Sequence, residues 1–383
     1  QPLYLIYGKL IVDNIRLRSG EMTPGTLGGG GPQAAFGARL YADHVALLTR
    51  SGIDLEPIHE QTLQRLGLDL SGWMRHADLP TPRGLLEYDA DERLQGHGIQ
   101  ISRPEWFALL ARPIELPPHH RTAAAIHLVT EFGNEPMGAT ALELGSHGAL
   151  VSLEPIFEDH SCTDPAGLLD FCRTVEIVTP DWPAATACAG SDDIATVVRF
   201  WANLGPRAVA FRRGSRGAIV WDRDSGKAWS IPPLPVEVVD PTGAGNAFGG
   251  GWCVGWHQHH DARIAGCMAS VAAALMITHS GMPPLTETLY QQATDLLTIA
   301  LERATLLDFS CSTQSDDRLL CASLGRCITP ALERLATIDD QAAAGQKCRI
   351  CRKQKHDRIS NLSSSRGFAK WNTLLVCGII GRQ

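Results

Sequence analysis

The sequence contains no apolar run long enough to cross a bilayer. That sets membrane-spanning helices aside. No segment repeats, so stacked-repeat and propeller architectures are excluded. The opening QPLYLIYGKLIVDNI carries Lys9 and Asp13 and shows no cleavage-like site, so it does not read as a secretory leader. A cytoplasmic protein is the expectation. Basic residues are in deficit: 34 Lys+Arg face 41 Asp+Glu, a net charge of −7. Such a balance argues against nucleic acid as the main partner. There is no G-x-x-x-x-G-K-[ST] phosphate loop anywhere.

What is present is a chain of 383 residues, 44% hydrophobic and 20% charged, enough to bury one large core or two ordinary ones. Charge and cysteine both divide it near residue 311. Residues 311–383 carry 12 Lys+Arg and 6 Asp+Glu, while the preceding part carries 22 and 35. Six of the 11 cysteines also lie in that tail. The other five, Cys162, Cys172, Cys188, Cys253 and Cys267, stand among apolar neighbours, as buried thiols of a reducing compartment do. Within the tail, Cys348 and Cys351 form one CxxC with only His356 close by, short of a zinc set. The tail reads as a disordered basic extension or as a gene-model artefact, and no function attaches to it.

The body reads as alternating strands and helices. LYLIYGKLIVDNI is a strand or strand pair, GGGGPQAAFGARLYA a glycine turn opening a helix, and HVALLTRSG a strand. Residues from about 80 to 103 turn like a hairpin. AAIHLVTEF, ALVSLEP, VEIVTP and the RAVAFRRGSRGAIVWD pair supply further strands, with helices between them. VEVVD is expected to end another strand before the long helix that opens near Asn246. The pattern LYQQATDLLTIALERATLL is the last amphipathic helix. Alternation of this kind predicts an α/β fold with a mostly parallel sheet covered on both faces.

The stretch VVDPTGAGNAFGGG, Val238 to Gly251, holds the strongest chemical signal. Unpaired N–H groups and partial positive charge at a helix start suit an anion, and glycines let it come close. Taken alone, a tight turn with no ligand is an equal reading. It is not a dinucleotide fingerprint, because Phe248 occupies the place of the third glycine.

In company, these segments resemble the ribokinase-like (PfkB) family of carbohydrate kinases. The likeness runs over roughly residues 3–305. It rests on DPTGAGN (Asp240–Asn246), GGGGPQAAFGARL (Gly28–Leu40), FRRGSRGAIV (Phe211–Val220) and SVAAALMITHSGMPP (Ser270–Pro284), in the family's order. DPTGAGN is similar to a fungal and bacterial branch related to the yeast Mak proteins. The resemblance implies a three-layer sandwich over residues 1–310, with a small β lid from about 8–26 and 80–103. It implies ATP and Mg²⁺ as cofactors, a sugar or nucleoside-like substrate, and a homodimer as an option.

The resemblance also implies roles. Gly243, Ala244 and Gly245 would stabilise the transferring phosphoryl group, with Thr242 beside them. The family's base aspartate falls on Asn246, which can orient a hydroxyl but cannot take its proton. Asp240 is the nearest acid, and it more naturally fixes the turn. Asp13 would hold substrate hydroxyls, with Gly28, Gly29, Gly30 and Gln33 near it; the family's usual Asn after the glycines is missing. Arg213, Gly214, Ser215 and Gly217 would line the nucleotide side, Arg213 or Arg216 pairing with phosphate, though a solvated hairpin reads equally well. The family's N-x-x-E segment becomes Asp181 and Ala184 here, so Mg²⁺ would rest on ATP phosphates and water, with no metal ligand assigned. Two functions stay open: a slow kinase, which Asn246→Asp should accelerate, and a pseudokinase that only binds. His119, His120 and the His257, His259, His260 run are expected at the surface.

Overall fold

The structure is a computed structural model describing residues 1–16, 19–88, 94–157 and 162–309. The basic tail with its CxxC lies outside the described residues.

Along the chain come β1 (Leu3–Tyr7), β2 (Ile11–Arg16), β3 (Met22–Gly28), α1 (Gly31–Arg39), β4 (His44–Gly52), α2 (Pro57–Arg65), β5 (Trp73–His76), β6 (Arg83–Tyr88), β7 (Leu94–Ile99) and α3 (Arg103–Ala111). Next are β8 (Ala125–Thr130), α4 (Pro136–Ser146), β9 (Leu150–Pro155), α5 (Pro165–Cys172), β10 (Ile177–Val178), α6 (Trp182–Ala189) and α7 (Ile194–Leu204). Last come β11 (Ala208–Arg212), β12 (Ala218–Asp222), β13 (Ala228–Ile231), α8 (Ala244–His259), α9 (Ala262–Met276), α10 (Glu287–Arg303) and β14 (Thr305–Leu307).

Ten strands form one sheet in the order β14-β13-β12-β11-β10-β9-β8-β1-β4-β5. From β5 to β11 every pairing is parallel, and β12, β13 and β14 add antiparallel strands at one edge. The central strand shows why: LYLIY has no polar face to leave in water, so both faces must be covered. Tyr4 and Ile6 pack with α1, α8, α9 and α10, while Leu5 and Tyr7 pack with α4, α5, α6 and α7. The sheet thus lies between two helical layers, a three-layer α/β sandwich. Most of the helices open on a side-chain cap, among them Asp181, Asp193, Asp261 and Thr286, which satisfy the free first-turn amides.

A second sheet of four strands, in the order β3-β2-β6-β7, is built from the early strand region and the hairpin near residues 80–103. It connects to the first where Lys9 bridges to Gly30.

Two expectations fail. VEVVD is not a strand. Pro232, Pro233 and Pro235 precede it and cannot donate to a ladder, and its end is held instead by Ile277, whose carbonyl accepts from the N–H groups of Val239 and Asp240 at 2.8 and 3.2 Å. The ATLL end of the last helical pattern leaves the helix at Ala304, and Thr305–Leu307 becomes an edge strand on β13.

Candidate active site

The GAG turn sits beyond that extended segment. Asp240 is buried and its Oδ1 accepts from the Thr242 N–H at 2.9 Å, so this acid fixes the turn. Gly243 is the N-cap of α8 with φ of 78°, a left-handed conformation that suits glycine. No side chain caps this helix start. A Cβ at Gly243 would also run into Gln33 of α1. Gln33 is itself held, its Nε2 donating to the Leu27 carbonyl at 2.8 Å. Residues 243–245 therefore form a braced, uncapped helix start, the arrangement that receives an oxyanion or phosphate.

Asn246 follows in the first turn of α8. Its Nδ2 donates to Glu154 Oε1 at 2.8 Å. Glu154 is the next-to-last residue of β9, is almost fully buried, and its Oε1 also accepts from Arg212 Nη1 at the end of β11. His127 of β8 places Nε2 at 3.6 Å from Glu154 Oε2, and its Nδ1 meets Ser152 Oγ at 2.8 Å. Burial alone would raise the Glu154 carboxyl, but Arg212 and His127 outweigh it and hold it below the usual range. Gly245 and Gly249 leave the room: a Cβ at Gly245 would lie 2.5 Å from Arg212 Nη1, and one at Gly249 would lie 2.5 Å from Glu154 Oε2.

Glu154 and Arg212 were not singled out in the sequence. The available signal was a glutamate closing ALVSLEP, since an acid in a strand covered on both faces needs a cation.

The glycine run meets this cluster from the other end of the chain. Gly30, at φ of 86°, would place a Cβ only 3.0 Å from Asn246 Nδ2 and 3.1 Å from Val129 Cγ1. Any side chain there would fill the space in front of Asn246. Gly28 lies against Asp13, and so does Gly84 of β6, which the sequence did not mark; a Cβ at either would collide with the Asp13 carboxylate. Asp13, on β2, is buried with Oδ1 lacking a hydrogen-bond partner. Burial pushes its carboxyl up to about 7. Lys9 pairs with buried Glu131 at 2.6 Å where β1 gives way to β2.

On the other flank, Arg213, Gly214, Ser215 and Gly217 form a short turn between β11 and β12, closed by Arg213 N–H donating to the Gly217 carbonyl at 2.8 Å. Ser215 and Arg216 are exposed. The Arg213 guanidinium lies over the Trp182 ring at 4.8 Å. Burial, then Arg216, lowers its pKa. It is Arg212, not Arg213, whose guanidinium stands at the GAG turn.

The DWPA segment is a helix start: Asp181 accepts from the Ala184 N–H at 2.8 Å. That carboxylate is engaged in capping and Ala184 has none, so this segment offers no pair of acids for Mg²⁺.

His119 is exposed, as expected, but His120 departs from the surface expectation. His120 is fully buried, and both histidines place Nε2 on Asp69 Oδ2, at 2.8 and 2.9 Å. This is the metal-type cluster among the described residues. It stands by the start of β8, whereas Asn246, Glu154 and Arg212 gather where β9 and β11 end. His257, expected on the surface, is half-buried, with Nδ1 on the Tyr4 hydroxyl at 2.9 Å, and His259 closes α8.

Comparison with known proteins identifies the family and the fold. The family profile described as "pfkB family carbohydrate kinase" matches residues 5–288. A cytidine kinase of Thermococcus kodakarensis is 24% identical over 255 residues, 66% of this chain and 88% of its own length. A nucleoside kinase of Methanothermobacter thermautotrophicus is 26% identical over 259 residues, 65% of this chain and 77% of its own. The two relatives are archaeal nucleoside kinases; neither comes from the fungal and bacterial branch that DPTGAGN suggested. Among solved structures, one from E. coli described as a ribokinase II in complex with ATP and Mg²⁺ superposes with a TM-score of 0.64 at 17% identity, covering 78% of this chain and 100% of that one. The fold is therefore the ribokinase-like one.

Proposed function

The chain belongs to the pfkB family of carbohydrate kinases, and on that premise we propose that it transfers the γ-phosphoryl group of ATP to a hydroxyl of a nucleoside or sugar. One observation carries the reading. The glycine run before α1 and the GAGN start of α8, far apart in sequence, meet so closely that a Cβ at Gly30 would come within 3.0 Å of Asn246 Nδ2.

In this reading the amides of Gly243, Ala244 and Gly245 receive the charge of the transferring group. Asn246 orients the attacking hydroxyl, and Asp13 holds its neighbours. The hydroxyl oxygen forms the new P–O bond as the bond to the ADP oxygen breaks. Asn246 cannot accept the released proton, which passes to a phosphate oxygen or to water. Loss of a positioned base costs about 10²–10⁴-fold in rate, so turnover is slow. Phosphoryl transfer tolerates this because it leans on alignment and electrostatics. Mg²⁺ would arrive with the ATP phosphates and keep much of its water. The four-stranded sheet acts as a lid that excludes water. Cys172, Cys188, Cys253 and Cys267 are buried thiols outside any disulfide, which fits a cytoplasmic setting.

The two nucleoside-kinase relatives favour a nucleoside acceptor over a free sugar. The DPTGAGN motif still points to the fungal and bacterial branch. A second reading, a pseudokinase, is favoured by the engagement of Asn246 with Glu154. Titrating ATP with Mg²⁺ by calorimetry, then following ADP release over nucleosides and sugars, separates the two. Acceptor-dependent release establishes the kinase; ATP binding without release establishes the pseudokinase; no ATP binding removes both.

A further inference from the structure

We propose that Glu154 is a positioning residue that dictates an amide, and not a carboxylate, at position 246. Its kinetic consequence rests on the kinase reading above. Its electrostatic consequence rests on the folded structure alone.

Glu154 is 1% exposed, and its Oε1 accepts from both Arg212 Nη1 and Asn246 Nδ2. An ionised carboxylate only accepts hydrogen bonds, so whatever stands at position 246 must donate. Asparagine does this through Nδ2. Doing so turns its Oδ1 away from Glu154 and makes that oxygen the group that can accept from an acceptor hydroxyl. The amide is thereby locked in the orientation that positioning requires, with no freedom to flip.

An aspartate at this place would meet an acid at hydrogen-bonding distance. The groups facing the pair are Arg212 from β11 and His127 from β8, with Ser152 behind His127. Asp181, whose backbone bridges Arg212, points its carboxylate at the α6 cap instead. One guanidinium already committed to Glu154 does not neutralise two acids in contact, one buried and one half-buried. They would share a proton, and the pair would titrate as a unit with one member raised. A proton held there is a proton the new aspartate cannot take from substrate. Asn246→Asp, which the sequence alone expects to speed the enzyme, is thus expected to gain little until Glu154 is also neutralised.

The test uses the full chain as wild type, Asn246→Asp, Glu154→Gln and the double variant. Thermal unfolding is followed between about pH 5 and pH 8, and kcat for ADP release over the same range. An acid with a raised folded-state value is favourably bound while protonated. Its contribution is lost as pH climbs from the unfolded value of about 4 through the raised one. Asn246→Asp should therefore lose thermal stability against wild type progressively toward pH 8. In the Glu154→Gln background that loss should vanish, because Arg212 then serves the new carboxylate alone. The double variant should turn over at least about tenfold faster than Asn246→Asp at pH 7, with its rise in rate starting at lower pH; tenfold is what one unit of pKa change gives. If Asn246→Asp does not fold, rescue by Glu154→Gln supports the pairing and failure to rescue overturns it. A single variant as stable as wild type at pH 8, or one faster than wild type and unaffected by Glu154→Gln, also overturns it. If no variant releases ADP, the kinase reading fails, and the unfolding profiles still decide the role of Glu154.

Discussion

Asp13 is held between Gly28 and Gly84 with one carboxylate oxygen unsatisfied. Leaving a buried acid unpaired costs stability, and in the proposed function a substrate hydroxyl supplies the missing donor. Burial raises it to about 7, against about 3.9 when unfolded. The folded protein therefore loses stability as pH rises between those values. Asp13→Asn should remove this loss: by calorimetry the variant should gain on wild type at pH 8 and show little gain at pH 4. The same change should lower kcat/KM for the acceptor by about 10–100-fold, the worth of a hydrogen bond to a charged group. Arg212 is a different case, since it neutralises Glu154 in the interior. Arg212→Ala strands that charge and should destabilise the fold by about 3–5 kcal/mol in denaturant titration.

At the scale of elements, the start of the site is set by how closely α1 and α8 approach. A Cβ at Gly37 would collide with the Ala247 carbonyl, and one at Gly250 with that of Ala34. Gly37 and Gly250 are packing devices: they let α8 lie backbone to backbone on α1, which carries Gln33 to Gly243. Gly250→Ala should force the helices apart at a cost of about 1–3 kcal/mol, read as a lower unfolding midpoint. The sequence showed these glycines but not their use, because a helix–helix contact depends on the partner. Strand and helix order was legible wherever apolar runs were long, as in LYLIY, HVALLTRSG and AAIHLVTEF. It was not legible where prolines remove donors, as before Val239, or where an edge strand is three residues long, as at Thr305–Leu307. Glu154 escaped notice because βα alternation does not say which strand end faces which turn. Asn246 and Gly30 were legible because each sits in a short motif that glycine alone can build.

For the molecule as a whole, the proposed function makes the sandwich the floor of the site and the four-stranded sheet its cover. The cover carries Asp13, while the floor carries Asn246, Glu154 and Arg212. If the cover is a lid, acceptor and a non-hydrolysable ATP analogue together should slow amide hydrogen exchange in Ile11–Arg16 and Arg83–Tyr88. Exchange unchanged by both ligands contradicts a closing role. Phosphoryl transfer to a small-molecule hydroxyl at Asn246 is the reaction proposed. Its most direct test is the product: purified protein with ATP, Mg²⁺ and cytidine or a related nucleoside, analysed by mass spectrometry for the phosphorylated acceptor. The expected result is slow, protein-dependent formation of a monophosphate that a Gly243→Val substitution abolishes. ATP bound tightly with no phosphorylated acceptor from any nucleoside or sugar would contradict it.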